Sequence, residues 1–330
     1  MKIPLKKSDI NLIRILFMIA LLLLPLIPSA YFQRTLFLVF YFAYLGIAWD
    51  ILGGYTGQGS FVHAAFVGLG AYTSVLLFLH WRIPPYFSMF IGVLVSVVFA
   101  AFVGYLCFRF GLKGHFFFLA SIAFLAALRY SFTNWDLVGG ATGLWIPLTS
   151  KNRWLYMQFG LYKGLVFCYI MLVFLIIELY LSQRIINSKL GYYFRAIKED
   201  ELAAESLGID TMKYKLISIC VSAAFSSIAG TMYAFFVRYI SPHTVLSDIF
   251  TVQIVIVAVL GGAGTLYGSL VGAPVMILLQ EYTRAFLGAM SGIDLILLGT
   301  LIIMIGVLYP HGLIRLLKTA YRKIHQIEDS

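Results

Sequence analysis

The sequence predicts an all-α polytopic membrane protein, and three observations predict it. Of 330 residues, 61% are apolar, against roughly 45–50% in a soluble domain. Charged residues make up only 12%, about half the usual share. The apolar residues also fall in long runs with the charges between them. Side chains at this density cannot all hide in one aqueous core, so many of them must face lipid. The mean hydropathy of +0.93 agrees. Disorder, a secreted disulfide scaffold and an ordinary soluble enzyme are excluded by the same figures.

Ten runs are candidate spans, each needing about 20 apolar residues, or fewer where neighbouring helices bury it. Leu12–Ala30 follows Lys2, Lys6 and Lys7; its length and the poor cleavage site at Pro28-Ser29-Ala30 predict an uncleaved signal anchor. Thr35–Leu52, Phe61–Leu79, Tyr86–Phe108, Phe116–Leu128, Gly164–Leu181 and Leu216–Val237 follow. Ile249–Leu260 and Leu266–Leu279 are short enough to be broken or re-entrant helices, and Ile293–Leu308 closes the series. The expected fold has eight to ten transmembrane helices with short broken helices, in a single transmembrane domain over residues 1–330. Two loops are long enough to carry function: about 129–163, rich in Gly, Trp and Thr, and about 182–215, the most charged stretch.

The net charge of +10 does not form a basic face for nucleic acid; the basic residues sit between the apolar runs. With ten spans and a cytoplasmic N-terminus, one membrane face receives twice as many of them as the other. That bias predicts both termini in the cytoplasm, the 182–215 loop inside and the 129–163 loop outside. Cys107, Cys168 and Cys220 fall in apolar runs without metal-ligand spacing, which suits small core fillers.

Small residues recur at every fourth position in Ser218, Ser222, Ser226, Gly230 and Ala234, and again in Gly264, Gly268 and Gly272. In lipid such stripes let helix backbones approach closely, as static packing or as a rocking core. A glycine-rich break, Gly53 to Ser60 with Gly57, Gln58 and Gly59, leads into His63. Gly261-Gly262-Ala263-Gly264 looks like its counterpart in the second half. Such breaks are tolerated at membrane depth only where protein or a water-filled cavity satisfies the freed backbone, and paired interruptions point to a transport route; two cytoplasmic turns are the alternative. Asp50, His63, Glu178 and Asp294 are the ionisable groups near span ends. Their placement suits groups reaching headgroups or loop amides and makes no relay for coupling ions.

Within the charged loop, Arg195 to Gly208 reads as one short helix with Glu199, Asp200 and Glu201 in its first turn, favourable to the helix dipole. Gly208 is its stop. Leu202, Ala203 and Leu207 supply an apolar side. So short a helix between two spans has little packing of its own, so it suits a docking element. No G-x-x-x-x-G-K-[ST] phosphate loop and no hydrolase constellation occurs, so the chain has no visible apparatus for ATP hydrolysis or other catalysis.

The segment from Arg195 through Glu199-Asp200-Glu201, Ala203-Ala204-Glu205 and Leu207-Gly208-Ile209 resembles the characteristic loop of LivM-type permeases of branched-chain amino acid ABC transporters. Gly53 to Phe66 resembles the family's Gly-Tyr-x-Gly-Gln-x-Ser-x-x-His-Ala-Ala-Phe segment and runs into Gly68-x-Gly70-Ala71-Tyr72. Gly140-Ala141-Thr142-Gly143-Leu144 resembles its outer-loop signature, and Leu260 to Gly268 its later glycine block. The likeness runs from about Thr35 to Tyr309 with four motifs in order. Phe61 and Val62 stand where Leu and Gly are usual, and Tyr192 where a basic residue is common; neither removes a motif.

The resemblance implies a non-catalytic membrane subunit of an ATP-driven importer in a bacterial or archaeal inner membrane, moving leucine, isoleucine or valine inward. It implies a second, LivH-type permease chain, two cytoplasmic ATPases that bind ATP and Mg, and a soluble binding protein outside. No cofactor is expected in this chain. The helix with Arg195, Glu199, Asp200, Glu201, Ala203, Ala204, Glu205, Leu207 and Gly208 would be the coupling helix. Gly57, Gln58, His63, Gly261, Gly262, Gly264 and Gly268 would line or hinge the pathway, and Ser218, Ser222, Ser226, Gly230 and Gly272 would pack helices. A permease of the same superfamily for urea, amides or another amino acid is the alternative, and a stand-alone channel or secondary carrier a more distant one.

Overall fold

The computed structural model describes residues 24–148, 154–160, 163–287, 299–300 and 312–313. The candidate span Leu12–Ala30 is described only from residue 24, and Ile293–Leu308, with Asp294, lies outside apart from residues 299–300. Among the described residues, seven helical stretches are long and apolar enough to cross a membrane, and the only sheet is a two-residue ribbon.

Helix α1, Ala30–Asp50, starts at Ser29, whose hydroxyl accepts the Phe32 N–H at 3.4 Å. It continues into a π-turn, Ile51–Tyr55. Every residue from Phe40 to Asp50 is buried, and a helix apolar all round belongs inside a bundle. It is the hub: α5 (Lys163–Ile186), α8 (Thr211–Val237), α10 (Asp248–Gly261) and α11 (Gly268–Leu287) all pack on it. Phe37 of α1 stacks on Phe236 of α8 at 3.9 Å between ring centroids, and Phe167 of α5 meets both rings edge-on.

Helices α2 (His63–Trp81) and α3 (Pro85–Arg109) form the tightest group with α8. The seam is made of small residues. A Cβ on Gly230 would lie 2.0 Å from the Val67 carbonyl oxygen, so the two backbones touch, and van der Waals contact supplies the association that lipid cannot. Helix α3 is inside-out by soluble standards: Ser88, Gly92, Ser96 and Ala100 face inward, while Phe87, Phe90, Leu94 and Val98 are 62–67% exposed. This is the arrangement expected where the surrounding solvent is hydrocarbon.

Helix α4 (His115–Thr133) is more loosely packed. Among the described residues, two polar ties hold it: Ser121 Oγ accepts the Phe61 N–H at 2.8 Å, and Arg129 pairs with Asp248 at 2.5 Å. After α4 come 3-10 turns at Asp136–Val138 and Gly140–Thr142 and strand β1 (Leu144–Trp145). It pairs antiparallel with β2 (Tyr239–Ile240), Leu144 opposite Ile240. The Gly140–Leu144 motif is thus pinned at the far end of α8, and the Tyr239 hydroxyl donates to the Thr142 carbonyl at 2.9 Å. Two-residue strands have no readable period, so the sequence does not disclose the ribbon.

Between α5 and α8 run α6 (Lys189–Glu199) and α7 (Glu201–Ser206), at the opposite end of α8 from the ribbon. The 27 residues of α8 separate them by about 40 Å at 1.5 Å per residue. After β2, the four-residue helix α9 (Pro242–Val245) leads into α10, and the stretch Pro242–Gly261 reaches 20 residues. The short expected span Ile249–Leu260 therefore gains its length from α9. The next, Leu266–Leu279, extends through α11 to Leu287, 20 residues in all.

Candidate functional site

The segment read as one helix from Arg195 to Gly208 is two helices. Asp200, with φ −156° and ψ 111°, ends α6 and caps α7: its carboxylate accepts the Ala203 N–H at 3.1 Å. A side chain that captures an orphan helix amide favours a new N-terminus over continuation. Helix α6 begins upstream, where Ser188 accepts the Leu190 N–H at 3.2 Å. Gly208, at φ +83°, follows the end of α7.

The residues expected to dock divide by face. Arg195 is exposed but folds back on its own elbow: it donates to the Ile186 carbonyl at 2.7 Å and to the Gly191 carbonyl at 3.2 Å, bracing the α5–α6 junction. Glu201 pairs with Lys215 of α8, Glu205 accepts from the Thr211 hydroxyl at 2.6 Å, and Ala204 is buried at 2% exposure. On the opposite side Leu202 is 66% and Leu207 83% exposed, and Ala203 and Glu199 are exposed with them. Helix α7 is thus bolted to the bundle by one face and presents a small apolar patch on the other.

The two glycine breaks meet each other. Asp50 is 3% exposed, and its Oδ1 accepts the Gly264 N–H at 2.6 Å. Close approach depends on glycine here: a Cβ on Gly54 would lie 2.4 Å from the Gly264 nitrogen and would overlap the Asp50 carboxylate. Gly264 itself takes φ +81°, a region that L side chains avoid. Gly262 ends α10 at φ +119°, and a Cβ on Gly312 would fall 2.3 Å from its Cα. Gly261, Gly268 and Gly272 lie in the α10–α11 seam; a Cβ on Gly272 would be 2.1 Å from the Val257 carbonyl oxygen.

The first break is tied down at several points. Trp49 Nε1 donates to the Ser60 carbonyl at 2.9 Å, Thr56 Oγ1 to the Ile51 carbonyl at 3.0 Å, and the Gln58 N–H to the Leu52 carbonyl at 3.1 Å. Gln58 is 5% exposed, and among the described residues its Oε1 has no partner. Gly57 packs on the last turn of α6: a Cβ there would lie 3.1 Å from Lys198 Cγ.

His63, at the start of α2, is fully buried. Its Nε2 lies 2.6 Å from Ser222 Oγ, and Ser222 donates to the Ala48 carbonyl at 2.7 Å. A serine has one proton, so His63 supplies the other through Nε2–H and is held in that tautomer. Ser226 donates to the Ser222 carbonyl at 2.8 Å, and Ser218 to the Lys215 carbonyl at 2.8 Å. Ser218, Ser222, Ser226 and Gly230 are buried in the α8 seam.

Of the ionisable groups near span ends, Asp50 does reach a loop amide. His63 and Glu178 instead turn into the bundle: Glu178 is 0% exposed, and no described residue bonds either oxygen. Glu178 lies on α5, which packs on α1.

Lys215, Thr211 and Lys198 take part in this arrangement without having been singled out from sequence. Lys215 lies four residues into a span-bound helix, and its partner is 14 positions away, which no helical spacing reveals. A basic residue inside an apolar face, expensive unless paired, is the one signal that marks it.

The family described as "Branched-chain amino acid transport system / permease component" matches residues 31–306. The permease LivM of the high-affinity branched-chain amino acid transport system of Escherichia coli strain K12 is 25% identical over 325 residues, covering 91% of this chain and 74% of that protein. The LivM protein of Salmonella typhimurium is 25% identical over 292 residues, 82% of this chain and 67% of that one. A probable LivH permease of Methanocaldococcus jannaschii is 25% identical over 272 residues, 78% and 83%. No solved structure matches. The likeness to both LivM and LivH proteins and a family match from α1 to beyond α11 agree with the bundle: the chain is a multi-pass membrane protein and belongs to the permease components of branched-chain amino acid transport systems.

Proposed function

We propose that the chain is the membrane subunit of an ABC importer that carries leucine, isoleucine or valine inward across a bacterial or archaeal inner membrane. The observation that supports this best is α7: a capped helix bolted by Asp200, Glu201 and Glu205, with Leu202, Ala203 and Leu207 held outward. A short apolar patch on a rigid mount suits a groove in a second protein. In this reading the second protein is a cytoplasmic ATPase; two of them bind ATP and Mg, and a LivH-type chain and an outer soluble binding protein complete the importer. The α6–α7 end then faces the cytoplasm and the ribbon faces outside, with both termini cytoplasmic.

ATP binding would draw the two ATPases together and displace α7. Glu201–Lys215 would pass that displacement to α8, and α6 to the π-turn of α1. The glycine breaks then serve as hinges. Ala204 is unsuited to testing docking because it is buried; Ala203 is exposed. The test is purification of the tagged chain in mild detergent from its native host, with mass spectrometry of what accompanies it. Two ATPase chains and a second permease are expected with wild type, and ATPase recovery should fall at least tenfold with Ala203→Arg while the permease pair persists. Wild-type recovery of ATPases by Ala203→Arg, or a wild-type chain that purifies alone, refutes the reading.

A further inference from the structure

The last turn of α6 reaches the place where the two glycine breaks meet. Lys198 lays its aliphatic stem against Gly57, with the Cα and Cβ of Lys198 each 3.4 Å from where a Gly57 Cβ would stand. Its ammonium lies 3.1 Å from the corresponding point on Gly264. Gly264 is the residue whose amide holds Asp50, so the Lys198 ammonium lies beside the Asp50–Gly264 contact. The second oxygen, Asp50 Oδ2, is buried and has no hydrogen bond among the described residues. One side chain therefore reaches both breaks and the contact that joins them. Two residues further along the chain, Asp200 opens α7.

We propose that Lys198 is a positioning residue of the transport cycle. It carries movement of the α6–α7 elbow into the Asp50–Gly264 contact, so that the glycine breaks open or close on each other only when α7 moves. A stem packed on one break with a charge placed at the other resists shear between them. Withdrawing it removes a favourable charge from beside the Asp50–Gly264 contact. The polar anchors of the first break, from Trp49 and Thr56, make it move as one piece. The proposal rests on the reading of α7 as the ATPase-docking helix.

The test uses the full importer reconstituted in lipid vesicles, with Lys198→Met and Lys198→Arg compared with wild type. ATPase recovery, ATP turnover and branched-chain amino acid uptake are measured on the same preparations. Lys198→Met is expected to retain wild-type amounts of bound ATPase, because 198 lies outside the exposed patch of α7. Its uptake per ATP hydrolysed is expected to fall at least tenfold, and Lys198→Arg to stay within twofold of wild type. In Asp50→Asn, removal of Lys198 should cost no more than twofold further, since the cation then has no carboxylate to hold. Uptake per ATP by Lys198→Met within twofold of wild type overturns the proposal while leaving the docking reading standing. A wild-type chain that binds no ATPase overturns the docking reading and the proposal with it.

Discussion

Replacing Glu201 with glutamine keeps the shape of the side chain and removes its charge opposite Lys215. The Lys215 side chain is 4% exposed and that of Glu201 18%, so the cation stays inside while water reaches the carboxylate. Removing one partner of a fully buried pair costs about 3–5 kcal/mol. The exposure of Glu201 and the acceptor oxygen retained by glutamine reduce this to about 2 kcal/mol, in the range of a charge-assisted hydrogen bond. The cost should fall on α7, because six residues cannot hold a helix alone. Its other side-chain ties include the Asp200 cap and the Glu205–Thr211 bond. At 1.4 kcal/mol per decade, local opening becomes about 30-fold more frequent. Hydrogen–deuterium exchange reads this directly. The amides of Ala204 and Leu207, bonded at 3.0 and 3.2 Å to the carbonyls of Asp200 and Ala203, should exchange about 30-fold faster, with mid-α8 amides unchanged. Lys215→Met should recover most of the loss in the double variant, since no unpaired cation is then left over the Phe108 ring, 5.3 Å from its centroid. Acceleration below threefold, or a double variant worse than Glu201→Gln, refutes this account of how α7 is mounted.

Gly230→Ala places a methyl 2.0 Å from the Val67 carbonyl oxygen. It should separate α2 from α8 at a cost of about 3 kcal/mol, read as a lower melting temperature and reduced recovery of monodisperse protein. Arg129→Gln breaks the tie to Asp248, whose side chains are 20% and 44% exposed. Global stability should change by less than about 1 kcal/mol, while exchange at the C-terminal end of α4 rises; a large melting shift without faster exchange there would contradict it.

The bundle was legible because lipid imposes its demand on composition directly, and seven of the expected spans match helices with ends at most five residues apart. Most ends slip outward because a hydropathy run stops at the first charge, whereas a helix keeps bonding its amides. Phe116–Leu128 stops at Arg129, yet α4 continues to Thr133 because Arg129 finds Asp248. The Arg195–Gly208 helix failed at Asp200: three acidic residues in a row suit a first turn, and which of them becomes the cap depends on the chain bending there. The glycine breaks were recognisable as a pair, but their contact was not, since Asp50 and Gly264 are 214 residues apart. Arg195 looked like a docking residue by company, and only the return of α6 beneath α5 shows that its guanidinium is already used.

That separation also has a consequence for how the protein is made. Chains are synthesised at about 5–20 residues per second, and the amide that satisfies Asp50 lies 214 residues downstream. After α1 leaves the ribosome, about 10–40 s pass before Gly264 exists. For that interval a helix otherwise apolar enough to insert carries an acidic end without its partner. The end of α1 bearing Asp50 must wait at the headgroups or within the insertion machinery, and the hub of the bundle is completed only when α10 and α11 arrive. The helix at the centre of the fold is therefore among the first to be made and among the last to be fully seated.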